Sequence, residues 1–312
     1  MMKRVEILKT YKIFVGGQFP RTESGRYYIV KNPEGKSLAN ACLCSRKDVR
    51  NAVVAARKAQ GAWAERSAFN RGQILYRIAE MLEGRKAQFL EELLIQGQSK
   101  KEAQREVDLA IERLVYYAGW CDKYNQIIST VNPVSSSHFN FSSCEPMGVV
   151  GIIPDQQSRL LGLISLLAPV IAGGNTAVIL ASADYPLCAV TFAEVVHASD
   201  VPSGVVNILT GPLQETAPTL SSHMDVNAIV TSNAEKELNT PLQLAAVDNL
   251  KRFFDYQKNW NDANAQGLHF IGDLQEIKTT WHPPLNKLAG RQVPTSDFHN
   301  CSCNTSNFSQ VR

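Results

Sequence analysis

The sequence holds no C-x-x-C pair. Its seven cysteines include two close pairs, Cys42/Cys44 and Cys301/Cys303, each C-x-C and each isolated. Zinc sites need thiolates or histidines paired at a characteristic spacing, so no structural zinc is expected. There is no long hydrophobic run either. The longest apolar stretch, 160–174, is interrupted by Ser165 and Pro169, and it falls short of the roughly 20 residues that span a bilayer. It is expected to be a buried helix. The start, MMKRVEILKTYKIF, lacks the apolar core of a secretory signal. The chain is therefore expected in the cytosol with reduced thiols. The four N-x-S/T triplets, at Asn140, Asn300, Asn304 and Asn307, then carry no meaning, because glycosylation needs secretion. An excess of one charge is also missing. Thirty-two basic against 29 acidic residues leave +3, which argues against a dedicated nucleic-acid binder.

What is present is ordinary for a globular protein. Hydrophobic residues make up 44% and charged residues 20%, which excludes global disorder, collagen and a pure coiled coil. A length of 312 residues suggests about two domains. The first forty residues read as strands and turns. Tyr11–Val15 closes on Gly16-Gly17, and Tyr27–Val30 is followed by Asn32-Pro33. Three helical patterns follow. Val49, Ala52, Val53 and Ala56 keep the i, i+3, i+4, i+7 spacing. Ile74, Leu75, Ile78 and Leu82 repeat it, with Phe89, Leu90, Leu93 and Leu94 continuing after Gly84. Val107, Ile111, Leu114, Val115 and Ala118 mark the third.

From Glu145 the pattern changes to short apolar strands alternating with helices. Gly148–Ile153, Asn175–Leu180, Gly204–Leu209 and Val226–Thr231 read as strands. Leu160–Ala172, Pro186–His197 and Gln214–His223 read as the helices between and after them. That alternation signals βαβ units: an α/β fold with a Rossmann-like, doubly wound parallel sheet, whose ligand crevice lies at the carboxyl ends of the strands. After Asn249 the signal weakens. Asp255–Gly267 is rich in Asn, Asp, Gln and Trp, and Ile277–Trp281 is a candidate for a last short strand. Residues 286–312 read as a disordered tail after a domain spanning 10–285.

The run EPMGVVGIIP…LLGLISLLAPVIAGGNTAVILASADYPL (145–187) resembles the cofactor-binding core of the aldehyde dehydrogenase superfamily. VPSGVVNILTG (201–211), HMDVNAIV (223–230), DNLKR (248–252), DVRNAVVAARKAQGAW (48–63) and NRGQILYRIAEMLE (70–83) follow in the superfamily's order and spacing. The variant most resembled is the family-16 enzyme, with two such units in tandem; this chain looks like its second, incomplete unit. The resemblance implies NAD(P), and it implies an acyl-enzyme route through a Cys thiolate, with a Glu base and an oxyanion site that includes an Asn amide.

Position by position, the resemblance also implies losses. The Asn position holds a Gln within Pro154-Asp155-Gln156-Gln157-Ser158. The ribose-binding Lys falls at Leu180 and its companion Glu at Ala183. The phosphate-region glycines fall at Leu213, Ala217 and Leu238, and the Phe-Thr-Gly-Ser block at Thr231-Ser232-Asn233-Ala234. The base falls at Tyr256, with its following glycines at Lys258 and Asn259. No cysteine lies between Tyr256 and His299. The retained cofactor positions are Ile153, Pro154, Ser182 and Gly211, as remnants only, and no catalytic residue is assigned. Cys121, Cys144 and Cys188 read as structural thiols, and Cys301, Cys303 and His299 as weak evidence for a metal. His197 and His223 read as cations near helix ends, and Gly173-Gly174 as a helix cap. The superfamily usually dimerises through a β-arm, and no arm is evident here.

The expectation is a catalytically inactive scaffold that docks onto a protein partner or a complete aldehyde dehydrogenase unit. It has no cofactor beyond the NAD(P) that the family implies, and no nucleic-acid or membrane partner. The alternative is an NAD(P)-dependent oxidoreductase acting on the aldehyde or oxo group of its donor, with the missing catalytic part supplied by another unit. A third possibility is a partial or spliced product, out of frame where the pattern stops after Pro284.

Overall fold

The computed structural model describes residues 7–283, so the tail, with His299, Cys301 and Cys303, lies outside the described residues. Strands β1 (Thr10–Tyr11), β2 (Tyr27–Lys31) and β3 (Ser37–Cys42) make a small sheet in the order β1-β3-β2. Helix α1 (Arg46–Ala64) follows. It starts at Ser45, whose N–H and hydroxyl both donate to the Asp48 carboxylate at 2.8 and 2.9 Å. That reciprocal cap fixes the entry of the helix. Its face of Val49, Ala52, Val53 and Ala56 is fully buried. The second helical pattern is two helices, α2 (Ala68–Gly84) and α3 (Lys86–Ile95), broken at Arg85. Then come α4 (Lys100–Trp120), α5 (Tyr124–Ile128) and the strands β4 (Thr130–Val131) and β5 (Phe139–Pro146).

The alternating region folds as its spacing predicts. Its elements are β6 (Val149–Ile153), α6 (Leu161–Ala172), β7 (Thr176–Leu180), α7 (Leu187–His197), β8 (Val206–Leu209), α8 (Leu213–Ser222) and β9 (Ala228–Ser232). Every residue of β6, α6, β7, β8 and β9 is buried. This is why the strands read as unbroken apolar runs rather than alternating ones. Helix α6 ends at Gly173 and at Gly174, whose φ is +85°. A Cβ on Gly174 would meet Pro146 Cγ at 2.8 Å, so the cap needs glycine twice over, for conformation and for space.

The chain then adds elements the sequence leaves faint: α9 (Lys236–Val247), β10 (Arg252–Tyr256), α10 (His269–Gly272) and β11 (Gln275–His282). β10 completes a five-stranded parallel sheet in the order β10-β9-β6-β7-β8. The order reverses between β6 and β9, which makes that boundary the switch point. β11 pairs antiparallel with β5 over its full length, Gln275↔Pro146 to His282↔Phe139, and β5 pairs with β4. These strands form a third sheet, in the order β11-β5-β4. Its strands sit in Ser- and Thr-rich surroundings that mask the period-two pattern.

Candidate functional site

The crevice at the switch point is framed by the carboxyl ends of β6 and β9 and the first turns of α8 and α9. A cleft of about 300 Å³ lies there, with Ile153, Pro154, Leu213 and Leu238 among its walls and Gln214 and Glu235 on its rim. Of the four retained positions, the fold therefore brings Ile153 and Pro154 to the cleft. Gly211 has φ +129°, and a Cβ on it would lie 3.2 Å from the Cys44 nitrogen; its freedom serves packing against the segment before α1. Ser182 is spent internally. Its hydroxyl donates to Gln156 O at 2.6 Å and accepts the Tyr185 N–H at 3.2 Å, tying the loop after β7 to the loop after β6.

Of the two glutamines that spacing allows at the oxyanion position, Gln156 is likewise spent. Gln156 Nε2 donates to Pro154 O at 2.9 Å, and its Oε1 accepts the Ala183 N–H at 3.3 Å. Asp155 Oδ1 accepts the Gln157 N–H at 2.9 Å and Asp155 Oδ2 accepts from Asn233 Nδ2 at 3.0 Å. Leu180, at the ribose-lysine position, is 2% exposed in the core. Tyr256, at the base position, donates its hydroxyl to Asp273 Oδ2 at 2.8 Å. Burial, reinforced by that carboxylate, pushes the phenol well above its usual range, so it cannot act as a base at neutral pH.

The described thiols are equally inert. Cys42, Cys44, Cys121, Cys144 and Cys188 are all buried and unpaired. Burial pushes the Cys121 thiol up to about 12 and raises those of Cys44, Cys144 and Cys188 as well. A nucleophile needs the opposite shift and access to solvent. His197 sits in the last turn of α7, edge-on to Phe14 and Phe19. His223 caps α8, where burial lowers its pKa and its Nδ1 lies 3.2 Å from the Asp225 N–H. Among the described residues no three His, Cys, Asp or Glu side chains converge on a metal position, and no helix is long and apolar enough to cross a membrane.

Sequence reasoning missed the segment that closes the crevice. Residues 257–267 fold back from β10 over the ends of β6 and β9. Trp260 is 5% exposed and donates its indole N–H to Ser232 Oγ at 2.7 Å. Asn233, at φ +49°, uses its amide twice on Lys258, donating to the carbonyl and accepting from the N–H, both at 2.9 Å. From beneath, the buried Arg113 of α4 donates to the carbonyls of Ala265, Trp260 and Asp262, and Arg105 donates to Asn261 O at 2.7 Å. The one legible signal was a lone tryptophan in a polar run. Beyond this cover lies a second cleft of about 660 Å³, with Gln98, Arg159 and Trp260 on its walls. Its neighbour Glu106 accepts the N–H groups of Leu160 and Leu161 at 2.8 and 3.0 Å and so caps α6.

The sequence profile of the aldehyde dehydrogenase family matches residues 19–252. A putative aldehyde dehydrogenase of Bacillus subtilis is 33% identical over 257 residues, covering 80% of this chain and 51% of that protein. The mouse cytosolic 10-formyltetrahydrofolate dehydrogenase is 31% identical over 257 residues, covering 80% of this chain but 28% of that one. Among solved structures, an NAD+ complex of an aldehyde dehydrogenase from Bacillus cereus superposes with a TM-score of 0.74 at 26% identity, over 78% of this chain and 50% of that one. The chain thus spans about half the length, or less, of the relatives it matches. By a profile match over most of its length and by the fold that carries it, the chain belongs to the aldehyde dehydrogenase family.

Proposed function

We propose that the chain is a non-catalytic unit on an aldehyde dehydrogenase frame, kept to bind a protein partner. A complete dehydrogenase unit, as in the tandem family-16 proteins it resembles, is the partner that fits the frame. The single observation carrying this reading is Tyr256 at the base position, whose buried hydroxyl donates to Asp273 Oδ2 at 2.8 Å and whose phenol is held well above its usual range. An oxyanion site also needs donors free of neighbouring negative charge, and Asp155 places a carboxylate beside both glutamines that spacing allows there. The committed Gln156 amide and the high-pKa thiols support the same reading. The reading carries with it a cytosolic location and no nucleic-acid or membrane partner.

The residues present do not fit a dinucleotide. Pyrophosphate binding at a helix N-terminus needs backbone approached closely and left uncovered. Here Leu213 and Leu238 stand in the cleft, Glu235 precedes α9, and Leu180 supplies no cation for the ribose. The reading therefore assigns no cofactor. The second reading is an NAD(P)-dependent oxidoreductase of the aldehyde or oxo group of donors, completed by another unit. It is favoured by the NAD complexes among the structural relatives.

The test mixes the purified chain with NAD and propanal and follows absorbance of the reduced cofactor. No reduction is the expected result. Steady turnover, abolished by a Cys→Ser change, would overturn the proposal in favour of the second reading.

A further inference from the structure

Strand β2 ends the small sheet β1-β3-β2 and has no neighbour on its outer side among the described residues. Which of its groups are free follows from its partners. Asn40, opposite Ile29, turns its N–H away to Lys9 O at 2.9 Å, and Leu43 donates to Arg26 O at 3.0 Å. Bonding alternates along an antiparallel ladder. Tyr28 and Val30 therefore bond to β3, and Tyr27, Ile29 and Lys31 aim their N–H and C=O groups outward. A slot of about 550 Å³ runs along this edge. All of residues 28–31 line it, whichever face their side chains take, which puts the slot beside the backbone.

The facing wall is residues 183–185 with Pro212, and it is braced. Ser182 Oγ accepts the Tyr185 N–H at 3.2 Å, and the Arg159 guanidinium lies 3.9 Å over the Tyr185 ring. A wall opposite an open edge admits one extended segment and obstructs a whole second sheet, so another copy of this chain has the wrong shape for it. The slot is also charged at both ends. Lys31 is exposed and makes no ion pair among the described residues. Asp184, exposed and likewise unpaired among them, lies at the other end. Burial, then Cys44 and Asp184, push the Tyr28 phenol above its usual range, which sets Asp184 beside Tyr28.

We propose that β2 is the docking edge for an extended segment of a protein partner, which joins the small sheet as a fourth, antiparallel strand. Main-chain bonds to Tyr27, Ile29 and Lys31 hold it. Charge fixes its direction and chemistry: an acid opposite Lys31, an aliphatic residue opposite Ile29, then a base beside Tyr28 and Asp184, and an aromatic opposite Tyr27. The inference rests on the partner-binding reading and deepens it, by giving the partner a point of attachment.

The test titrates the full chain with a fluorescein-labelled peptide, Glu-Thr-Val-Arg-Phe, read by anisotropy, and maps the contact by amide exchange. Saturable binding is expected, with exchange slowed at 27–31 and unchanged at 275–282, the open edge of the other antiparallel sheet. N-methylation of the peptide at Val and Phe removes two of the strand's donors and should weaken binding at least about tenfold. Lys in place of the peptide's Glu should weaken it about two- to fivefold. Lys31 is exposed, so Lys31→Glu should fold normally, and it should reverse that preference. No binding at millimolar peptide would overturn the inference, and so would binding indifferent to N-methylation, or protection at 275–282 instead of 27–31. A preference for the acidic peptide that persists in Lys31→Glu would overturn it too. Failure here leaves the non-catalytic reading standing, whereas NADH formation with propanal ends that reading whatever the peptide does.

Discussion

Glu92 is 5% exposed, on α3 beneath β1 and α7. Tyr11 and Thr191 both donate to its Oε1, at 2.9 and 2.7 Å, while Oε2 is buried without a partner. Burial raises its pKa, against those two donors and the more distant Lys9, and with the repulsion of Glu194. The folded value thus lies above the unfolded one. The group's contribution to stability is full below the unfolded value and is lost as pH rises through the folded one. Glu92→Gln keeps an acceptor for both hydroxyls and removes the charge. The variant should match the parent near pH 5 and melt about 2 °C higher at pH 8, by calorimetry across that range. A parent whose melting temperature does not fall over this interval relative to the variant would refute the assignment.

At the scale of elements, the cover formed by residues 257–267 depends on α4 rather than on its own sequence. Arg113, 1% exposed, serves three of its carbonyls, and Tyr117 bonds Gly267 O at 3.4 Å. Arg113→Met leaves buried carbonyls without donors. The expected loss is about 3 kcal/mol in urea unfolding, with faster amide exchange confined first to 257–267. Equal exchange in parent and variant would mean the segment is held by something else. Legibility in the sequence follows the same division. β6, β7, β8 and β9 could be read because full burial writes itself as apolar runs closed by Gly, Pro and Asn. β10 could not: all five residues of Arg252–Tyr256 are half-buried at a sheet edge, so neither a run nor an alternation forms. That a Gln takes the oxyanion position was visible by spacing, but the partners of the Gln156 amide, Pro154 and Ala183, are a matter of loop geometry. Asn233 and Trp260 gave less, because their partners come from β6, β9 and the return of the chain.

For the molecule as a whole, the parallel sheet and the β11-β5-β4 sheet carry different risks. The parallel sheet is covered by α1, α6, α7 and α8, whereas β11 is paired on one side only and Ile277, Trp281, Phe139 and Val131 are 55%, 56%, 55% and 63% exposed. Such an edge is a template for other chains. A lysine in place of Ile277 should raise several-fold the concentration at which light scattering appears, with the melting temperature unchanged within about 2 °C. If scattering does not respond, the sticky surface lies elsewhere, with Met224, Leu244 and Leu250 the next exposed group.

The pairing of β5 with β11 also sets a schedule. Gln275 stands opposite Pro146, so about 130 residues must be made after one strand before the other exists. At a ribosomal rate of roughly 5–20 residues per second, β5 waits on the order of 6 to 26 s after emerging, with one whole flank of its backbone lacking its eventual neighbour. The nascent protein is therefore most vulnerable to misassociation late in its synthesis, when the parallel sheet is already complete and only this clasp is outstanding.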